Sequence, residues 1–124
     1  MTKVPMILVV EDDDWLAQQQ VRTLRDGGFV AEYVSHALAA IETIDTRRPD
    51  AIVLDVFLIG PNAFTLLHEL QSHADLSGIP IVLCTNSADT IASTDLSAYG
   101  VRIVLDKAVI TPGDLIAAVK KVLP

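Results

Sequence analysis

A chain of 124 residues is near the usual size of one compact domain and leaves little room for a second. With 51% hydrophobic and 20% charged residues, it carries enough apolar material for a substantial core, which excludes general disorder. The formal net charge is −7 and the basic residues cluster only as the doublets Arg47-Arg48 and Lys120-Lys121, so nucleic-acid phosphates would repel the chain and direct DNA binding is not expected.

The opening residues, Met1-Thr2-Lys3-Val4-Pro5, lack the long apolar segment of a secretion signal. No apolar stretch in the chain approaches the roughly 20 residues a membrane helix needs, so a cytoplasmic location is expected. Met6 to Val10 is a short apolar run rich in branched residues, the pattern of a strand buried on both faces. It ends in Glu11-Asp12-Asp13-Asp14, an acidic surplus able to hold a divalent cation. Asp14 is expected to cap a helix with Leu16, Val21 and Leu24 on roughly one side, stopped by Gly27-Gly28. Phe29 to Val34 reads as a second strand, and Ala37 to Thr46 as a helix with Leu38, Ile41 and Ile44 at spacings of three. A turn at Arg47-Arg48-Pro49-Asp50 leads into a third strand, Ala51 to Leu54, ending at Asp55. Asn62 to Ser72 carries Phe64, Leu66, Leu67 and Leu70, a helical spacing.

The fourth strand spans Ile81 to Cys84. A single cysteine rules out an internal disulfide, and within this apolar run it reads as a small buried hydrophobe, not a catalytic thiol. Ala88 to Tyr99 is assigned as a short helix, although its Ser, Thr and Asp residues compete for backbone hydrogen bonds. Val101 to Leu105 is a fifth strand. Thr111-Pro112 opens a last helix running through Leu115, Ile116, Val119 and Val122.

Five repeats of strand then helix, with no linker, define an α/β chain, a single domain over residues 1–124 whose parallel sheet is covered on both faces. Ligands of such sheets gather outside the carboxyl ends of the strands. Those ends carry Glu11 and Asp12, Asp55, Thr85 and, just beyond the fifth strand, Lys107. Taken singly, each has a plain explanation: acids before a helix answer its dipole, and a lone Asp, Thr or Lys after a strand is an ordinary loop residue. Taken together on one rim, three carboxylates repel unless a cation lies among them, and their oxygens suit Mg²⁺. A lysine and a hydroxyl beside them complete an electrostatic cradle suited to phosphoryl transfer, a chemistry that mainly requires positioning and charge stabilisation.

The blocks Ile7-Leu8-Val9-Val10-Glu11-Asp12-Asp13, Pro49-Asp50-Ala51-Ile52-Val53-Leu54-Asp55, Pro80-Ile81-Val82-Leu83-Cys84-Thr85 and Asp106-Lys107 resemble the signature blocks of response-regulator receiver domains, in order and spacing, across essentially the whole chain. The resemblance implies a flavodoxin-like doubly wound (βα)5 three-layer sandwich with a parallel five-stranded sheet in the order 2-1-3-4-5. It implies Asp55 as the phosphoacceptor, Asp12 as a direct Mg²⁺ ligand, Glu11 as the second acid, and further metal ligands from Asp55 and the main-chain carbonyl of Phe57. Thr85 matches the hydroxyl that contacts the phosphoryl group, and Lys107 the cation that holds it. The implied donor is a phosphohistidine on a sensor histidine kinase or histidine phosphotransfer protein, and the implied role a signalling switch, not a metabolic enzyme. A downstream protein or fused effector domain would receive the signal. Homodimerisation through the fourth-helix, fifth-strand and fifth-helix surface is common in such domains.

Several positions depart from that pattern. Ala108 follows the lysine where such domains commonly carry proline, often after a cis bond; because a cis bond before a non-proline costs about 2.5–4 kcal/mol, a trans bond and a reshaped loop are expected. Val104 stands where an aromatic usually turns inward on activation, so the output is expected to run through the loop from Phe57 to Asn62 or the polar stretch from Asn86. Asn86 replaces a residue that is more often small, and Ile59-Gly60-Pro61 alters the usual Pro-Gly order. His36, His68 and His73 follow no ligand spacing, and Trp15 reads as a packing or surface residue. Two other readings remain: a degenerate receiver acting as a phosphorylation-independent interaction module, and a flavodoxin-like electron carrier, whose FMN phosphate the four acids after the first strand would repel.

Overall fold

Residues that alternate between two buried surfaces form a strand only if both faces are covered, and the first strand meets that condition. In the computed structural model, which describes residues 4–55, 67–69, 71–72, 78–85 and 99–124 (the side chains of Ala37 and Asp55 aside), Ile7, Leu8, Val9 and Val10 are all fully buried. The elements are β1 (Met6–Val10), α1 (Asp14–Asp26), β2 (Val30–Val34), α2 (Ala37–Thr46), β3 (Ala51–Asp55), β4 (Ile81–Thr85), β5 (Val101–Asp106) and α3 (Pro112–Val122). Leu67–Glu69 and Gln71-Ser72 are helical, within the helix expected from Asn62 to Ser72. The rest of that helix, the one expected from Ala88 apart from its last residue, Tyr99, and Phe57, Asn86 and the loop at Ile59-Gly60-Pro61 lie outside the described residues.

All strand pairings are parallel, and the sheet runs β2-β1-β3-β4-β5. Side-chain alternation divides the core between its faces. Leu8, Val10, Ile52, Leu54, Ile81 and Leu83 pack on one side with Ala40 and Ile44 of α2. Ile7, Val9, Val53, Val82 and Cys84 pack on the other with Val21 and Leu24 of α1 and Leu115, Ala118 and Val119 of α3. Full burial of each large aliphatic side chain contributes roughly 1.5–3 kcal/mol. The three layers expected from the sequence are therefore present, and Cys84 is a buried thiol within the core on the α1/α3 face.

One feature of β5 was not visible in its sequence. Ile81 pairs with Val101 but Val82 pairs with Ile103, so Arg102 is an extra residue in the register. This bulge resets the alternation: Val101 and Val104 pack on the α2 face, whereas Ile103 and Leu105 pack on the α1/α3 face.

The helix ends follow local hydrogen bonding. Asp13, not the expected Asp14, caps α1; its backbone is extended (φ −86°, ψ 109°) and its carboxylate accepts from the Leu16 N–H at 3.0 Å. Asp14 is instead the first helical residue, facing the positive end of the dipole. Gly28 has φ +95°, which requires glycine as the chain turns from α1 towards β2. β2 begins at Val30, one residue later than expected, because the Phe29 N–H is still committed to the Leu24 carbonyl. Thr111 and Asp114 form a reciprocal capping box on α3, with Pro112 in its first turn. Replacing Thr111 with Ala removes one side of that box, and urea denaturation should report a loss of about 1 kcal/mol with an unchanged slope.

Candidate functional site

The carboxyl ends of β1, β3, β4 and β5 lie side by side because the strands are parallel and adjacent. Val10 pairs with Leu54 and Asp55 with Cys84, so the backbone of Asp55 sits between Glu11, just past β1, and Thr85, which ends β4. Thr85 in turn pairs with Asp106, and the Lys107 N–H donates to the Thr85 carbonyl at 3.0 Å. The residues singled out at four strand ends are thus on one rim.

Glu11 is the most constrained of them. Its N–H donates to the Val34 carbonyl at 3.0 Å, extending the β1–β2 ladder by one residue. The side chain is 1% exposed; one carboxylate oxygen accepts from the Asp13 N–H at 3.1 Å, and the other lies 3.3 Å from the Lys107 ammonium. A carboxylate at that depth is strongly disfavoured unless a positive charge stands beside it. Lys107 supplies that charge across 96 residues of sequence, from a side chain itself only 11% exposed. Asp12 is exposed next to the pair, and Thr85 is buried.

These groups border a cleft of about 460 Å³ whose lining includes Glu11, Asp12, Leu16, Gln20, Cys84 and Lys107. Leu16 and Cys84 give it apolar surface, and its charged groups are acids with one lysine. Gln20 was not anticipated from the sequence: its side-chain oxygen is buried with no hydrogen-bond partner among the described residues. Nothing in its neighbourhood along the chain sets it apart from Gln18 and Gln19, since only the packing of α1 turns it toward the cleft. Trp15 is 69% exposed, a surface residue on the first turn of α1. His36 is exposed and caps α2, its Nδ1 accepting from the Ala39 N–H.

The loop after β5 keeps every peptide bond trans, as expected from Ala108. It is closed by its own hydrogen bonds: the Asp106 carboxylate accepts from the Ala108 N–H at 2.9 Å, and the Asp106 carbonyl accepts from Val109 and Ile110. Among the described residues no three His, Cys, Asp or Glu side chains form a metal-binding group; Glu11 and Asp12 lie together, and the Asp55 carboxylate is not described. The donor set nevertheless suits a hard cation, because Glu11 and Asp12 offer only carboxylate oxygens and Glu11 already depends on a positive charge.

A doubly wound parallel α/β domain with acids and a lysine gathered at the strand ends is the architecture of a signalling receiver. Residues 7–120 match the response regulator receiver domain, and the chain belongs to that family, a module of two-component systems. Among characterised relatives, it is 35% identical over 85 residues to the DNA-binding response regulator MtrA of Mycobacterium tuberculosis, covering 68% of this chain and 36% of that protein. It is 30% identical to the transcriptional regulatory protein BaeR of Escherichia coli O6:H1, covering 96% and 48% respectively. The chain thus spans less than half the length of these relatives. A solved sensor protein from Polaromonas sp. JS666 superimposes with a TM-score of 0.86 at 26% identity, covering 95% of this chain and 94% of that one. The chemotaxis response regulator CheY4 of Vibrio cholerae shares the fold, with a TM-score of 0.86 at 22% identity over 98% and 100% of the two chains. Among the described residues, no helix is long and apolar enough to cross a membrane.

Removing Lys107 leaves the Glu11 carboxylate buried without its cation. Lys107→Met should lower the metal-free unfolding free energy by about 3 kcal/mol, and adding Glu11→Gln to that variant should recover most of the loss. Urea denaturation of the two single variants and the double variant measures the coupling; strictly additive effects would contradict a direct Glu11–Lys107 interaction.

Proposed function

We propose that this chain is a phosphoacceptor switch in which Asp55 takes a phosphoryl group from a phosphohistidine on a sensor histidine kinase or histidine phosphotransfer protein. A carboxylate oxygen of Asp55 attacks phosphorus in line as the phosphorus–nitrogen bond breaks. The bonding electron pair leaves with the imidazole nitrogen, and the ring departs neutral because its other nitrogen already carries a proton; an acyl phosphate remains on Asp55. The observation that carries this reading is the buried Glu11–Lys107 pair at the end of β1, with Asp55 and Thr85 ending the strands between them. A carboxylate cluster at the end of a sheet destabilises a fold, so its retention with a long-armed cation beside it fits a site that handles dianionic phosphoryl oxygens.

Glu11, Asp12, Asp55 and the main-chain carbonyl of Phe57 would hold Mg²⁺, which supplies neutralisation of the phosphoryl charge and of the acids. Lys107 would then exchange Glu11 for a phosphoryl oxygen, a transfer between two acceptors that keeps the ammonium paired throughout. The Thr85 hydroxyl would donate to another phosphoryl oxygen. Hydrolysis of the acyl phosphate resets the switch. A change in surface contacts with a downstream protein or an attached effector domain would carry the signal, and the DNA-binding activity named for MtrA would then belong to such an effector.

Incubation with Mg²⁺ and acetyl phosphate should yield a single phosphoryl adduct by intact mass, absent from the Asp55→Asn variant. An adduct that persists in that variant would mean that another residue is the acceptor. Absence of both an adduct and Mg²⁺-dependent binding of a beryllofluoride mimic would instead identify a phosphorylation-independent docking module. Because Lys107 competes with a cation for Glu11, Lys107→Met should also bind Mg²⁺ several-fold more tightly than the natural chain, measured by Trp15 fluorescence. Equal or weaker affinity would refute that competition.

A further inference from the structure

Lys107 has to be held by something. Its side chain spans the gap between the end of β5 and Glu11, yet the loop that carries it has Ala108 and an ordinary trans bond, with no proline to fix its course. We infer that Asp106 is the positioning residue for Lys107, folding the chain after β5 into a turn that aims the ammonium into the acidic cleft. This rests on the phosphoacceptor reading and names a residue which that reading leaves unused.

Four hydrogen bonds define the device. The Asp106 carboxylate accepts from the Ala108 N–H at 2.9 Å, bridging over Lys107. The Asp106 carbonyl accepts from the Val109 N–H at 3.2 Å and the Ile110 N–H at 3.0 Å. Between these anchors the Lys107 N–H donates to the Thr85 carbonyl at 3.0 Å, so the lysine is tied to β4 at the residue that also ends that strand. Lys107 is therefore clamped on its own strand side by β4 and on its far side by the Asp106 side chain. An Asp side chain that accepts from the N–H two residues on substitutes for a backbone turn, and it needs the donor that a proline at 108 would lack. The aspartate and the alanine thus work as one unit: Ala108 supplies the N–H, and Asp106 captures it.

Geometry and charge can be tested separately at this position. The substitution Asp106→Asn keeps the short acceptor and loses the charge, whereas Asp106→Glu keeps the charge on a side chain too long for the same turn. The rate constant of phosphoryl incorporation from acetyl phosphate at saturating Mg²⁺ should fall about tenfold in Asp106→Ala, the loss expected when one orienting hydrogen bond is removed. Asp106→Asn should retain the natural rate and Asp106→Glu should resemble the alanine variant. In a Lys107→Ala background, Asp106→Ala should have no further effect. An unaltered rate in Asp106→Ala, rescue by Glu instead of Asn, or an undiminished effect without Lys107 would each overturn the assignment, even if thermal stability changed. A second readout is independent of phosphorylation: hydrogen exchange at the Lys107 and Ala108 amides should accelerate at least several-fold in Asp106→Ala and stay slow in Asp106→Asn. If the natural chain accepts no phosphoryl group, the phosphoacceptor reading fails and the exchange data decide the positioning role alone; unchanged exchange would overturn it.

Discussion

The structure depends on one buried charge. Glu11 lies where β1 ends, at a depth where a lone carboxylate would be driven to neutralise or to pull the chain apart, and the Lys107 ammonium 3.3 Å away makes that position tolerable. The contact joins a central strand of the sheet to the chain leaving its edge strand. It also fixes which groups share the cleft, because Lys107 reaches Glu11 only across the ends of β3 and β4. An interaction of this kind is a poor source of stability and a good source of specificity of arrangement: an apolar pair of similar shape would hold as well, but it would offer nothing to an anion or a cation.

The fold was legible in the sequence for a physical reason. Parallel strands buried on both faces read as continuous apolar runs, and the runs at Met6–Val10, Ala51–Leu54 and Ile81–Cys84 are unbroken by a single polar residue. The site residues were legible by position, since the topology sends every strand end to the same rim. Details set by competition among nearby polar groups were not. Asp13 and Asp14 are equivalent as sequence, and the choice between them falls to Glu11, whose carboxylate binds the Asp13 N–H and sets the turn that precedes α1. The Arg102 bulge is likewise silent in a strand whose residues suit either face. Leu38 belongs to the helical stripe of α2 by spacing, yet it is 62% exposed; Ala40 and Ile44 are buried and Ile41 half-buried, so the stripe is rotated from the one expected.

The bulge also bears on Val104. By placing an extra residue early in β5, it turns Val104 toward α2, where it packs half-buried against the same cluster as Tyr99. A branched aliphatic side chain in a close-packed setting has few alternative rotamers, so this position offers no ring to exchange between buried and exposed states. Tyr99 does bring an aromatic to that cluster, five residues earlier, with its ring 6.2 Å from that of His68. The aromatic contribution to this part of the core thus comes from just before β5, and the strand itself contributes an aliphatic one.

Positive charge is scarce in the cleft. Of the described residues lining it, Lys107 alone carries a cationic side chain, and it already serves the fold by pairing with Glu11. On the proposed reading, the same ammonium is wanted by the incoming phosphoryl group, so the lysine can change partners only if a second cation takes over the acids. Metal binding and phosphoryl binding are then linked through one side chain: each removes an obstacle to the other, and only the two together keep Glu11 supplied with a counter-charge throughout. The turn at Asp106 has its place in that exchange, because it holds the backbone of Lys107 still while the long side chain swings. A fixed base with a moving head keeps the ammonium within reach of both acceptors, which a freely moving loop would not.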